Sequence, residues 1–197
     1  MNKNEKLVVQ IIFIIVISNF FCMFCFFLFN FIMSGKAEMV ASIVSLVISF
    51  MIMPFLILKR KNNINLYELG IKKFGILDYV LLSITVLFLS LFIVMNGDIK
   101  AFWEVACLQL FVSISEEFLI RGIICYLLLQ LLHKKVWVVI ISALVFGFVF
   151  HTGGDVVTNL LYRFPAGIVL AALALYTRKL YPSIMLHFVY NVWCIYL

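Results

Sequence analysis

Residues 7–33, LVVQIIFIIVISNFFCMFCFFLFNFIM, hold no charged side chain; their polar ones are Gln10, Ser18, Asn19 and Asn30. A helix rises ~1.5 Å per residue, so ~20 mostly apolar residues cross ~30 Å of hydrocarbon. This stretch is long enough to do so with tilt. It is too long for the apolar core of a signal peptide, and no Ala-x-Ala site follows it. It reads as a retained membrane anchor.

The rest of the chain has the same character. Of 197 residues, 66% are hydrophobic, 21 are Phe and only 12% are charged, with a mean hydropathy of +1.20. An ordinary soluble domain carries about 25% charge, and so little polar material cannot cover a water-exposed globule. A soluble enzyme, a disordered tail and a nucleic-acid-binding domain are excluded. Seven apolar segments stand out: Leu7–Met33, Met39–Leu58, Leu77–Met95, Ala101–Leu132, Val136–Phe150, Val156–Thr177 and Tyr181–Leu197. The expected fold is an all-α, polytopic transmembrane bundle of about seven spans. It forms one integral membrane domain over residues 1–197, with no room for a soluble one. Ala101–Leu132 exceeds a straight crossing, so its start is expected to lie along the interface. There is no internal repeat.

The +6 net charge then reports topology before it reports a partner. Lys3, Lys6, Lys59, Arg60, Lys61, Lys72, Lys73, Lys134, Lys135, Arg178 and Lys179 fall on one side of the seven segments. Only Lys36 and Lys100 fall on the other, which places the N-terminus in the cytoplasm. The five cysteines all lie in apolar segments and read as buried small hydrophobes, Cys22-x-x-Cys25 included.

An ionisable group at membrane depth is costly and therefore informative. Here these are Glu104, Glu116, Glu117, Arg121, His151, Arg163 and His187. Glu117 and Arg121 are i,i+4 neighbours and can pair on one helix face. Glu116, ~100° round the helix, is left free. A free carboxylate in a dry cavity suits general acid–base work; equally, the three charges could only tie helices together. His187 and Asn191 share a face of the last segment and could donate hydrogen bonds to an oxyanion. His133 abuts Lys134 and Lys135 and reads as a solvated loop residue. Arg163 either snorkels outward near Asp155 and Asn159 or contacts substrate, the former preferred. Counted along the helices, Glu116 and His151 lie ~25 Å from the basic boundary, but His187 and Asn191 only ~12–18 Å. The last pair thus needs tilt or a different boundary.

These residues resemble the CAAX-protease and bacteriocin-processing (CPBP, or Abi) family of membrane proteins. The resemblance rests on Glu116-Glu117-x-x-x-Arg121, on His151 closing a Phe/Gly-rich segment, and on His187-x-x-x-Asn191. Ala166-Gly167 and Tyr181-Pro182-Ser183 support it, and it covers residues 101–197. One element departs. The family places a Phe four residues before the middle His; here that position is Gly147, flanked by Phe146 and Phe148. A one-residue shift turns a side chain by ~100°, so a bulge or helix end near Gly147 is needed to restore the aim of His151.

The resemblance implies an intramembrane endopeptidase in a bacterial plasma membrane, acting on a peptide or lipidated protein within the bilayer. By that analogy Glu116 with His151 activates water, His187 with Asn191 stabilises the oxyanion, and Glu117 and Arg121 support them. Members are often classed as zinc metalloproteases, which would make Glu116, His151 and His187 the ligands. The residues themselves require no cofactor: there is no HExxH, and Asn is a poor zinc ligand. The alternatives are a non-catalytic immunity or scaffold protein of the same family, and a small ion-coupled transporter.

Overall fold

The computed structural model describes residues 2–33, 37–96, 98–151 and 155–196. Among them every regular element is helical. In chain order these are α1 (Lys3–Ile32), α2 (Glu38–Asn62), α3 (Ile76–Asn96), α4 (residues 99–131), α5 (Lys135–Val149), α6 (Val156–Thr177) and α7 (Tyr181–Tyr196). They coincide with the seven expected apolar segments. By length and composition, α1, α2, α3 and α6 suffice to cross a membrane. Helix α4 is long enough but carries Glu104, Glu116, Glu117 and Arg121, while α5 and α7 are shorter. Asp98 caps α4 by accepting the Ala101 N–H at 3.0 Å, and from there it is continuous.

Apolar side chains cover the outside. On α1 alone, Ile12, Phe13, Val16, Phe20, Phe24, Phe27 and Phe31 are exposed. In water such a surface would aggregate; against lipid it is ordinary. The protein is an integral membrane protein. The core is centred on α4, where Leu119, Ile120, Ile123, Ile124 and Leu127 are fully buried.

Four helices contain a wide turn closed by an i→i+5 hydrogen bond. Met53 N–H donates to Ile48, Cys125 to Ile120, Phe150 to Val145, and Phe164 to Asn159. Such turns hold one extra residue and re-aim the side chains on either side. Three of them, in α4, α5 and α6, border the polar cluster described below.

The loop between α2 and α3 does not float in solvent. Ile64 and Leu69 are buried core residues, and Leu180 N–H donates to the Gly70 carbonyl at 3.1 Å. The Tyr181 hydroxyl donates to the Lys72 carbonyl at 2.8 Å, and Lys179 pairs with the buried Asp78. The loop therefore plugs the basic end of the bundle, with Gly122 of α4 lying against Leu69 and Leu180. Depth must be counted from that contact, not from His133. Glu117 is then about 8 Å along α4 and His187 about 10 Å along α7. The mismatch in depth expected for His187 disappears, because α4 runs two turns past the start of α7.

Candidate active site

Two glycines set how closely α5 and α6 approach. A Cβ at Gly167 would meet the Ala143 Cα and the Phe146 ring at 3.1 Å, and one at Gly147 would meet the Phe164 nitrogen at 3.3 Å. With hydrogen in those places the backbones touch, as small residues allow in membrane bundles. The contact presses the Phe146 ring towards α4 and α7.

Around that ring the ionisable groups assemble. Glu117, fully buried, forms an ion pair with Arg121 at 3.5 Å, the i,i+4 pair expected from the sequence. Its second oxygen lies 3.1 Å from His187 Nδ1, a partner the sequence did not disclose. A carboxylate oxygen can only accept, so Nδ1 carries the proton and donates. The other ring nitrogen, Nε2, faces Glu116 Oε2 at 3.9 Å. That is too long for a hydrogen bond, and Glu116 Oε2 is buried with no partner. His187 thus sits between two carboxylates, held by one and facing the other. Arg121 donates from Nη2 to the Gly167 carbonyl at 3.2 Å and lies 4.9 Å from the Phe146 ring centre.

His151, just past the end of α5, reaches back to the same ring. The Phe146 and His151 centroids are 4.9 Å apart, and those of Phe146 and His187 are 5.3 Å apart. His151 Nδ1 lies 2.8 Å from the Phe146 carbonyl, so Nδ1–H donates and Nε2 keeps its lone pair. The five-residue spacing from Phe146 to His151 is spanned by the wide turn Val145–Val149. A wide turn and the end of α5 thus both lie near Gly147, where the sequence called for a bulge or a helix end. Phe146, not Phe148, takes the aromatic position.

Asn191, one turn beyond His187, donates from Nδ2 to Gln109 Oε1 at 3.0 Å. His151, Asn191 and Gln109, with Phe146, Arg163 and Tyr190, line a cavity of about 420 Å³. Glu116, Glu117, Arg121 and His187 form the buried cluster beside it, and Phe146 touches both groups. The expected residues are therefore brought together in two sets, four in the cluster and two on the cavity wall. Arg163 is bonded to Asn159 and faces this cavity. Asn159 also donates to the His151 carbonyl at 3.1 Å. Asp155, the other residue expected near Arg163, caps α6 through Val157 and Thr158. His133 is exposed in the α4–α5 loop, as expected.

The sequence reading missed Phe146 as the hub, Gln109 and Asn159. Gln109 had a usable signal: it precedes Glu116 by seven residues, two helical turns on the same face. Asn159 was expected only near Arg163, and nothing local marked its bond to the His151 carbonyl.

The three candidate zinc ligands, Glu116, His151 and His187, are not gathered as a ligand set. Among the described residues no three His, Cys, Asp or Glu side chains converge as ligands would have to. His151 turns its Nδ1 to Phe146 and His187 its Nδ1 to Glu117, which leaves both Nε2 atoms free.

Residues 98–193 match the model of the Rce1-like family, the type II CAAX prenyl endopeptidases. That match supports assigning this part of the chain to the CAAX-protease family. The matched stretch begins at the α4 cap, Asp98, and ends two residues past Asn191, so it holds every member of the cluster and the cavity wall named above. Helices α1–α3 lie outside it. Comparison with curated proteins and with solved structures returned no match. The membrane bundle and the family agree in pointing to a membrane-embedded protease of CAAX type.

Proposed function

We propose that the protein is an intramembrane endopeptidase, acting in a bacterial plasma membrane on a peptide or lipidated protein segment that enters the cavity of about 420 Å³. The observation that carries this reading is His187 clasped by Glu117 while facing the unpartnered oxygen of Glu116. A carboxylate with no partner in a buried cluster is costly as structure alone, and it suits a group that must accept a proton.

In the proposed reaction Glu116, assisted by the free Nε2 of His151, takes a proton from water. The resulting hydroxide oxygen bonds to the scissile carbonyl carbon. Negative charge develops on the carbonyl oxygen. His187, whose imidazolium is stabilised by Glu117, and the Asn191 NH₂ hydrogen not used on Gln109 donate to it. Glu116 then returns its proton to the leaving nitrogen as the C–N bond breaks, giving an amine and a carboxylic acid, which loses its proton to the free Nε2 of His151. Glu117 and Arg121 position His187 and do not touch substrate. No metal takes part.

The test is Glu116→Gln in proteoliposomes with a prenylated peptide. Cleavage should fall by about 10²–10⁴-fold, the range for a lost general base, while the variant stays folded because Glu116 Oε2 makes no hydrogen bond. Full activity in that variant sinks the proposal. If the variant instead performs its cellular role undiminished, the protein is a non-catalytic immunity or scaffold member. Exhaustive chelation should leave cleavage intact; tightly bound zinc in active protein would overturn the metal-free route.

A further inference from the structure

A second cavity, of about 290 Å³, opens at the basic end of the bundle, between the residue 63–75 loop, α4 and the turn joining α6 to α7. Its walls carry Lys72, Arg121, Lys135, Arg178 and Lys179 against a single carboxylate, Glu68. Part of that positive charge is neutralised within the chain, Arg121 being paired with Glu117. Lys179 is paired with Asp78, and Lys72 lies 4.8 Å over the Tyr67 ring. Lys135 and Arg178 have no ion-pair partner among the described residues. Arg121 is only 5% exposed, and its Nη1 has no hydrogen-bond partner. Glu68 already accepts the Asn65 N–H at 2.9 Å.

We infer that this cavity binds a phosphate-type anion, in the membrane the headgroup phosphate of an anionic lipid. The volume suits it: at ~30 Å³ per water, the space holds a phosphodiester headgroup with ordered waters. The location suits it as well. The cavity lies where the basic loops gather, the side that faces an anionic leaflet, and basic pockets between membrane helices on that side hold lipid headgroups. A free phosphate would satisfy the same cations, and the arms below separate the two sources. The cavity adjoins the catalytic cluster at Arg121, but Lys135 and Arg178, the two residues tested, have no contact with Glu116 or His187.

The experiment uses the purified full chain in detergent, titrated in parallel with phosphatidylglycerol, phosphatidylcholine and inorganic phosphate. Bound lipid is counted by native mass spectrometry while the unfolding midpoint is followed. Phosphatidylglycerol should be retained and should raise the midpoint, and phosphatidylcholine should do neither. Lys135→Gln/Arg178→Gln removes two charges that hold nothing in the fold, and should weaken phosphatidylglycerol about 30-fold. A midpoint shift with inorganic phosphate alone, lost in the same variant, upholds the anion site but assigns it to a free anion. Equal retention of the two lipids, or equal phosphatidylglycerol affinity in parent and variant, overturns the inference. Binding indifferent to ionic strength overturns it too.

Discussion

Replacing Glu117 by Gln keeps the shape of the side chain and removes one charge. Glu117 and Arg121 have no exposed side-chain surface, so the change leaves a guanidinium buried beside a neutral amide. Removing one partner of such a pair costs about 3–5 kcal/mol. Two remaining contacts offset part of it: the Gly167 carbonyl at 3.2 Å and the Phe146 ring at 4.9 Å. The lower end of the range, about 3 kcal/mol or roughly 10²-fold in the folding equilibrium, is expected. The assay is reversible unfolding of the purified protein in mixed micelles. Adding Arg121→Met should recover most of the loss, because a buried pair replaced as a whole is nearly neutral. The double-mutant cycle should then show a coupling of about 2–3 kcal/mol, against the ~0.5 kcal/mol within which independent sites add. Coupling below that limit refutes the claim that Arg121 is held by Glu117. Activity should not recover with stability: the introduced amide oxygen can still accept from His187 Nδ1 but no longer stabilises the imidazolium.

Other outcomes follow from the same geometry. Phe146→Ala should cost about 3–5 kcal/mol through the void it leaves. Phe146→Leu should stay within about 1.5 kcal/mol yet slow peptide cleavage, since the ring contacts to His151, His187 and Arg121 are lost; denaturation and cleavage measured side by side check both. At the start of α6, the Thr158 side chain and the Thr158 and Val157 backbone N–H groups hold Asp155 below the ordinary aspartate range. A lowered folded value means the cap is at full strength above the unfolded pKa of about 3.9 and fades as pH falls through the folded one. Exchange protection at the Val157 and Thr158 amides should drop over that window; constant protection would contradict it.

Some of this could be read from local pattern. Apolar runs of membrane length fixed the seven helices, because no backbone but a helix satisfies itself in lipid. The i,i+4 spacing gave the Glu117–Arg121 pair, because helix geometry makes those residues neighbours wherever the helix goes. It also set Glu116 apart from them. The misplaced Phe was legible as a departure, but spacing alone did not say that a wide turn lies at Val145–Val149 or that Phe146 is the ring against His151.

The loop of residues 63–75 shows where sequence stops. Its lysines mark it as a connection on the basic side, yet Ile64 and Leu69 are core residues and its backbone is stitched to Leu180 and Tyr181. That placement changes the depth of every residue on α4 and α7, and with it the partner of His187. Likewise Phe146 became the hub only because Gly147 and Gly167 let α5 and α6 touch. The sequence alone determined that this is a helical membrane protein and which residues carry charge into the apolar phase. Those properties depend on composition and on spacing within one helix. Which carboxylate holds His187, which faces it, and where an anion could sit were decided by tertiary structure. They depend on contacts between residues as far apart as 117 and 187, whose energies no local pattern contains.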